Sequence, residues 1–215
     1  MKTQVLIALC FLLIQIGNVT PVQAQLPIVM EMIPNADGLD YVAYVVTIPI
    51  AQVNKVKGNW SDYIGQDSYG WPSEKNGIHR QRGIVESTIS PKKFTVYSEF
   101  VTTESGVRLT AWFTQKKSPL VASKSGDKLD LAIKKYIHFF AIRQYRSAIQ
   151  IQLKKEQNLR RKQEMRLASL LRTKEHDVPS ISDSVFEEQE RTLTRSIESQ
   201  NSKMQKLLDL LSDII

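Results

Sequence analysis

Between Asp127 and Glu175 the chain runs for 49 residues without a proline or a glycine. A helix of that length measures about 73 Å at 1.5 Å per residue, too long for one small domain to cover. Its start is marked by Gly126, with Ser125 or Asp127 as candidate caps. The segment His176-Asp-Val-Pro-Ser-Ile-Ser-Asp183 then breaks the pattern, and Ser182 or Asp183 caps a second helix that runs to the C-terminus. In that second helix a heptad is legible. One seam position reads Phe186, Leu193, Gln200, Leu207 and Ile214, and its partner reads Glu190, Ile197, Met204 and Leu211, so seven of the nine are apolar. This spacing predicts a coiled-coil seam.

A short break between two helices favours antiparallel packing. In a hairpin folded near Pro179, residue i faces roughly residue 358 − i. The polar stretch Lys154–Glu164, whose only apolar residue is Leu159, then meets the region where Gln200 interrupts the other seam. Leu167, Leu170 and Leu171 meet Phe186 and Leu193, while Ile142, Tyr145 and Ile149 meet Leu207–Ile215. The second helix is too short to reach Ile133-Lys-Lys-Tyr-Ile-His-Phe-Phe140, so this aromatic segment is expected to dock on another part of the chain.

That part is β-rich. Tyr41–Ile48 is an apolar run of β-branched and aromatic residues, the pattern of a buried strand, and Asn35-Ala-Asp-Gly38 is a turn that lets Ile28–Ile33 pair with it. Val53, Val56, Trp60, Tyr63 and Ile64 line one face of a helix over about 51–64. Gly65–Gly77 reads as a loop, and Ile78–Ile89 as an irregular strand with a bulge at Gly83. Lys93–Thr102 and Val107–Thr114 form a hairpin closed at Glu104-Ser-Gly106. Phe94, Val96, Ser98 and Phe100 share one face of its first strand, and Val107, Leu109, Ala111 and Phe113 one face of its second. Arg108, Thr110 and Trp112 point the other way. The expected fold class is α+β: a small antiparallel sheet with one packed helix, followed by a long C-terminal antiparallel helical hairpin.

The first 24 residues read as a cleavable signal peptide. Lys2 gives the positive start, Val5–Ile16 the apolar core, and Val22-Gln23-Ala24 a cleavage site before Gln25. That core is too short to span a bilayer of about 30 Å. Cys10, the single cysteine, lies within it after Leu9, an unsuitable neighbour for lipidation, so the mature chain is expected to lack disulfides and thiolate metal sites. The expected division is 1–24 signal peptide, 25–117 β-rich domain, 118–126 linker and 127–215 helical hairpin. Export to the periplasm or exterior makes nucleic acid an unlikely match for the net charge of +7, of which the leader carries one positive charge.

Charge is unevenly placed. Residues 127–175 hold 13 Lys/Arg and 5 Asp/Glu, whereas 183–215 hold 4 and 7. Opposite charges on a solvated helix pair account for this, with exposed contacts worth about 0.3–0.5 kcal/mol each. The alternative is that Lys154, Lys155, Arg160, Arg161, Lys162 and Arg166 engage an anionic membrane surface or polymer, although this stretch lacks the Trp/Phe insertion face such helices usually carry. His79, His138 and His176 lack metal-ligand spacing, and no nucleophile, phosphate-loop or dinucleotide motif occurs. Asp62 and Asp67 lie near Trp60 and Trp71, a mixture seen in sugar clefts and in ordinary loop edges alike. Asn59-Trp-Ser61 is a formal glycosylation sequon.

The expected function is an exported, non-catalytic structural or protein-interaction module of the cell envelope or exterior, with no enzyme activity and no cofactor. Its binding element is the hairpin, through the basic residues just named and the seam residues Phe186, Leu193, Ile197, Met204, Leu207 and Leu211, and its partner is another protein or a second copy of the chain. An exported basic protein with a β-rich body and a long helical hairpin resembles in outline the periplasmic chaperones of the Skp type, which implies holdase activity as an alternative. That resemblance lies in architecture without a shared motif, and those chaperones insert the hairpin between strands. A carbohydrate-directed enzyme or binding protein, with Trp60–Trp71 as its cleft, is the third expectation.

Overall fold

The computed structural model describes residues 26–34, 40–66, 68–116, 118–120, 126–175 and 183–214. The signal peptide with Cys10, the turn at 35–38, Asp67, residues 121–125 with Ser125, and the break at 176–182 with His176 and Ser182 lie outside the described residues. The fold is α+β. Strands β1 (Val29–Pro34) and β2 (Asp40–Pro49) precede helix α1 (Val53–Gly65). Strands β3 (Ser73–Lys75), β4 (Ile78–Glu86), β5 (Ser90–Thr102), β6 (Gly106–Gln115) and β7 (Ser118–Pro119) follow, and helices α2 (Lys128–Glu175) and α3 (Asp183–Ser212) complete the chain.

The sheet has the order β1-β2-β6-β5-β4-β3, with β7 added to the end of β6, and every pairing is antiparallel. Side-chain alternation assigns its two faces. Tyr44, Val46 and Ile48 of β2, Phe94 and Val96 of β5, and Val107, Leu109, Ala111 and Phe113 of β6 share one buried cluster. That cluster also contains Val56, Trp60 and Ile64 of α1 and Ile133, Ile137, Phe140, Ala141, Tyr145 and Ile149 of α2. Both helices therefore cover the same face. The 133–140 segment docks as its sequence requires, because a row of aromatics beyond the reach of α3 has only the sheet and α1 to shield it.

An aromatic knot joins the two helices. The Trp60 ring lies edge-on to Phe140 at 4.7 Å between centroids and 72° between planes, and Tyr63 packs on Tyr136 at 4.7 Å. The Tyr63 hydroxyl donates to the Tyr136 carbonyl at 3.1 Å. Edge-to-face pairs of this kind contribute about 0.5–1.5 kcal/mol beyond their burial.

Three local features refine the reading of the sequence. The expected loop up to Gly77 contains strand β3, which turns into β4 through Asn76 (φ 53°) and Gly77 (φ 78°). Asn-Gly is the dipeptide that two-residue hairpins with two positive φ angles favour. Ser118–Pro119, within the expected linker, pairs with Thr114 and Gln115. The β4–β5 register shifts between Gln81 and Ile84, across Gly83 at φ 71°, as the bulge reading requires.

Helix α2 is capped by Asp127, whose Oδ1 accepts the Asp130 backbone N–H at 2.8 Å. The buried Asp130 carboxylate accepts the Gly126 N–H at 2.6 Å and the Lys134 ammonium at 2.9 Å. The negative charges at this helix start suit its dipole. Burial, reinforced by the charges of Asp130 and Asp127, pushes the Tyr44 hydroxyl pKa well above its ordinary value. Among the described residues no helix is long and apolar enough to cross a membrane.

Candidate binding surfaces

The hairpin forms with the heptad read from the sequence. In α3 the nine seam positions from Phe186 to Ile214 are all buried or half-buried, and almost every position between them is exposed. Arg160 Nη1 donates to Asn201 Oδ1 at 3.3 Å and Tyr145 lies close enough to Asp213 to feel its charge, so the helices run antiparallel within a few residues of the expected register. Phe186, Leu193, Ile197, Met204, Leu207 and Leu211 thus pack toward α2, and Leu207, Leu211 and Ile214 also touch the main core. These six side chains close the hairpin, leaving its outer faces for contact with anything else. The seam has a polar layer at Glu156 and Gln200, whose Oε2 and Oε1 atoms are shielded from solvent and have no hydrogen-bond partner among the described residues.

Beyond Ile149, α2 contributes nothing to the main core cluster. Its last 26 residues, about 39 Å of helix, form an arm with α3. Lys154, Lys155, Arg161, Lys162 and Arg166 are exposed along it, whereas Arg160 is half-buried, bonded to Asn201 and paired with Glu164 at 3.3 Å. Arg160 is thereby separated from the other five basic residues. Among the described residues no ion pair crosses between the two helices; the pairs present, Lys134–Asp130, Arg160–Glu164 and Arg191–Glu188, each lie within one helix. The charge imbalance between the helices thus acts at longer range than direct contact.

The Trp60–Trp71 region does not form one cleft. Trp60 is fully buried and donates through Nε1 to Ser98 Oγ at 2.6 Å, while Trp71 is 93% exposed. Asp62 lies at a shallow depression with Tyr69 and Trp71. Asn59 of the sequon lies on α1, where its Nδ2 donates to Gln144 Oε1 at 2.6 Å. His79 is buried between α1 and the sheet. Ser61 donates its hydroxyl proton to the Lys57 carbonyl at 3.1 Å, so it accepts from His79 Nε2–H at 2.9 Å. That leaves His79 Nδ1 buried and without a partner among the described residues. Desolvation, aided by the Lys57 charge, lowers its pKa from the ordinary value, with Glu74 opposing. Among the described residues no group of three or more His, Cys, Asp or Glu is placed to hold a metal ion.

A further surface lies on the opposite face of the sheet, where Tyr41, Ala43, Val45, Thr110 and Thr114 are buried while Arg80, Tyr97 and Trp112 are half-exposed. Register places Arg80 of β4 beside Tyr97 of β5, Tyr97 beside Trp112 of β6, and Trp112 beside Ala43 of β2. The Tyr97 and Trp112 rings stack at 5.5 Å and 7°, and the Arg80 guanidinium carbon stands 5.5 Å from the Tyr97 centroid. On one side of this row the Glu31–Arg108 ion pair, at 2.6 Å, bridges over β2 and helps to shield Val45. On the other side a groove of about 670 Å³ crosses the strands, lined by Tyr41, Tyr97, Trp112 and Thr114 and by Ser73–Asn76, Ile78 and Arg80. Glu74 in its wall is paired with Lys57, whereas Lys75 and Arg80 have no ion-pair partner among the described residues.

Sequence reasoning noted that Trp112 turns away from the core but did not join it to Tyr97 and Arg80. The signal was strand parity. Each of these residues sits one position out of phase with the buried row of its own strand.

Comparison with protein families, with characterised proteins and with solved structures finds no match to this chain.

Proposed function

We propose that this protein is an exported, non-catalytic interaction module that presents its helical hairpin to a protein partner of the cell envelope or exterior. One observation carries this reading: a hairpin arm about 39 Å long extends beyond the main core with its own seam closed. An arm already satisfied in this way is a rigid element whose outer faces are available without refolding, which lowers the entropy cost of binding. Those faces carry Lys154, Lys155, Arg161, Lys162 and Arg166, with Met165 exposed among them. Such a basic surface suits an acidic partner and speeds encounter with it.

The test is site-specific photocrosslinking in the native host. A crosslinker at Met165 is expected to capture one discrete partner, and one at Glu104, on the β5–β6 turn, is expected to capture none. Replacing Lys154, Lys155, Arg161, Lys162 and Arg166 together by glutamine is expected to abolish the Met165 adduct. An adduct that survives that replacement, or that forms only at Glu104, contradicts the assignment.

A further inference from the structure

We infer that the groove on the sheet face opposite the helices binds an acidic oligosaccharide, one of whose ring faces meets Trp112 and whose carboxylates meet Arg80 and Lys75. This inference is independent of the function proposed for the arm.

Its first basis is the aromatic row. Trp112 and Tyr97 are half-exposed; Tyr97 is stacked on Trp112 on one side and flanked by Arg80 on the other, so the ring face left partly in water is that of Trp112 turned away from Tyr97. Next to Trp112 in the row is Ala43, whose methyl group is too small to cover an indole. A flat, weakly polar ring with polar edges is the partner such surfaces take, because it removes aromatic area from water while keeping its own hydroxyls hydrated.

The second basis is charge. The Arg80 guanidinium carbon stands 5.5 Å from the Tyr97 centroid, and its Nε is shielded from solvent without a hydrogen-bond partner among the described residues. Through its two Nη groups a guanidinium can give paired hydrogen bonds to a carboxylate, a geometry that lysine cannot reproduce. Lys75 adds a second cation, while Lys57 already compensates Glu74. The groove therefore offers positive charge with no competing free carboxylate among its lining residues.

The third basis is the rest of the lining. Tyr41, Ser73, Asn76 and Thr114 bring hydroxyl and amide groups. The groove runs from β2 to β3 across four strand spacings, about 19 Å, which suits a short oligomer. A peptide would add to a sheet edge through its backbone, and this groove crosses a face. A single-stranded nucleic acid needs cations along its whole phosphate track, and only two are present here.

Isothermal titration of the full chain with sodium tetragalacturonate tests the assignment, with its fully methyl-esterified form as the neutral comparison. The acid is expected to bind with a Kd near 0.1 mM, on the order of weak saturable association, and the ester at least tenfold more weakly. Arg80→Gln is expected to weaken the acid tenfold or more and Lys75→Gln severalfold, with melting temperatures unchanged. Arg161→Gln, on the arm, leaves binding intact. In the NMR spectrum the Trp112 indole N–H is expected to shift on titration in the parent chain and in Arg161→Gln.

Absence of saturable binding at about 10 mM, equal affinity for the ester, or an equal loss in Arg161→Gln overturns the inference. So does tighter binding of oligothymidylate that is lost in Lys75→Gln, which would make the groove a nucleic-acid site. If Arg80→Gln lowers the melting temperature, Lys75→Gln on the short edge strand decides: unchanged affinity there contradicts the assignment.

Discussion

Trp60 Nε1 donates to Ser98 Oγ at 2.6 Å, so the indole that packs against Phe140 of α2 is also bonded to the middle of β5. One side chain thereby joins the short helix, the long helix and the sheet. The base of the arm is held to the body here and along the buried row Ile133, Ile137, Ala141, Tyr145 and Ile149, so loss of Phe140 is expected to be felt in the body as well as in the arm.

Phe140→Ala is accordingly expected to destabilise the protein by about 3–5 kcal/mol, the range for emptying a buried aromatic site. Chemical denaturation followed by circular dichroism and by tryptophan emission checks it, and both probes should report one shifted transition. Loss of the helical signal alone, with the tryptophan transition unmoved, contradicts the role given to Phe140.

Histidine and tyrosine set opposite pH limits. The folded-state pKa of His79 is lowered, so the unfolded chain takes up the proton first as pH falls below the ordinary value of 6.5. Stability from this group is complete above that value and declines below it. His79→Gln is expected to flatten the dependence of the denaturation midpoint on pH below about 6.5. At the alkaline end, burial and the Glu86 charge push Tyr63 from 10.0 up to about 12. Its contribution is full below pH 10 and is lost as pH rises through the folded value. Tyr63→Phe should reduce that alkaline loss in the same titration.

Two glycines make contrasting predictions. Gly58 lies in α1 with open space around its Cβ position, so Gly58→Ala is expected to stabilise by about 0.5–1 kcal/mol. At Gly106, opposite Pro49, an added Cβ would overlap the Ile48 carbonyl oxygen and approach Ile50 N to 2.9 Å. Gly106→Ala is expected to cost more than about 3 kcal/mol by forcing β2 and β6 apart. Thermal denaturation of the two variants checks both signs.

The polar layer in the arm is a weak point in a mostly apolar seam. Gln200→Leu is expected to raise stability by about 1 kcal/mol, because it replaces a shielded, unpartnered amide oxygen with packing. The measurement is the denaturant midpoint at unchanged m-value, and a lowered midpoint would show that Gln200 has a necessary partner.

Much of this architecture was legible before any coordinate. The heptad from Phe186 to Ile214 identified the arm because a seam repeating every seven residues leaves a mark in any sequence. The docking of Ile133–Phe140 followed from length alone. Strand β3 was missed because three exposed residues, Ser73–Lys75, carry no hydrophobic alternation, although the Asn76-Gly77 turn beside them was readable. The third expectation makes Trp60 and Trp71 the two walls of one sugar cleft, yet helical phase buries the first while the second lies beyond the helix. The Arg80–Tyr97–Trp112 row depends on strand order, and β6 takes its place between β2 and β5 only through long-range pairing that local pattern does not encode.

The central claim is that α2 and α3 fold back on each other within one molecule. Spin labels at cysteines introduced at Arg161 and Ser202, in a Cys10→Ser background, test it by double electron–electron resonance. For adjacent helices with axes about 8–10 Å apart, the labels are expected near 20 Å. That distance should be unchanged when labelled protein is diluted into unlabelled protein. A separation beyond about 40 Å, or a short distance that disappears on dilution, would show that the two helices do not pair within a single chain.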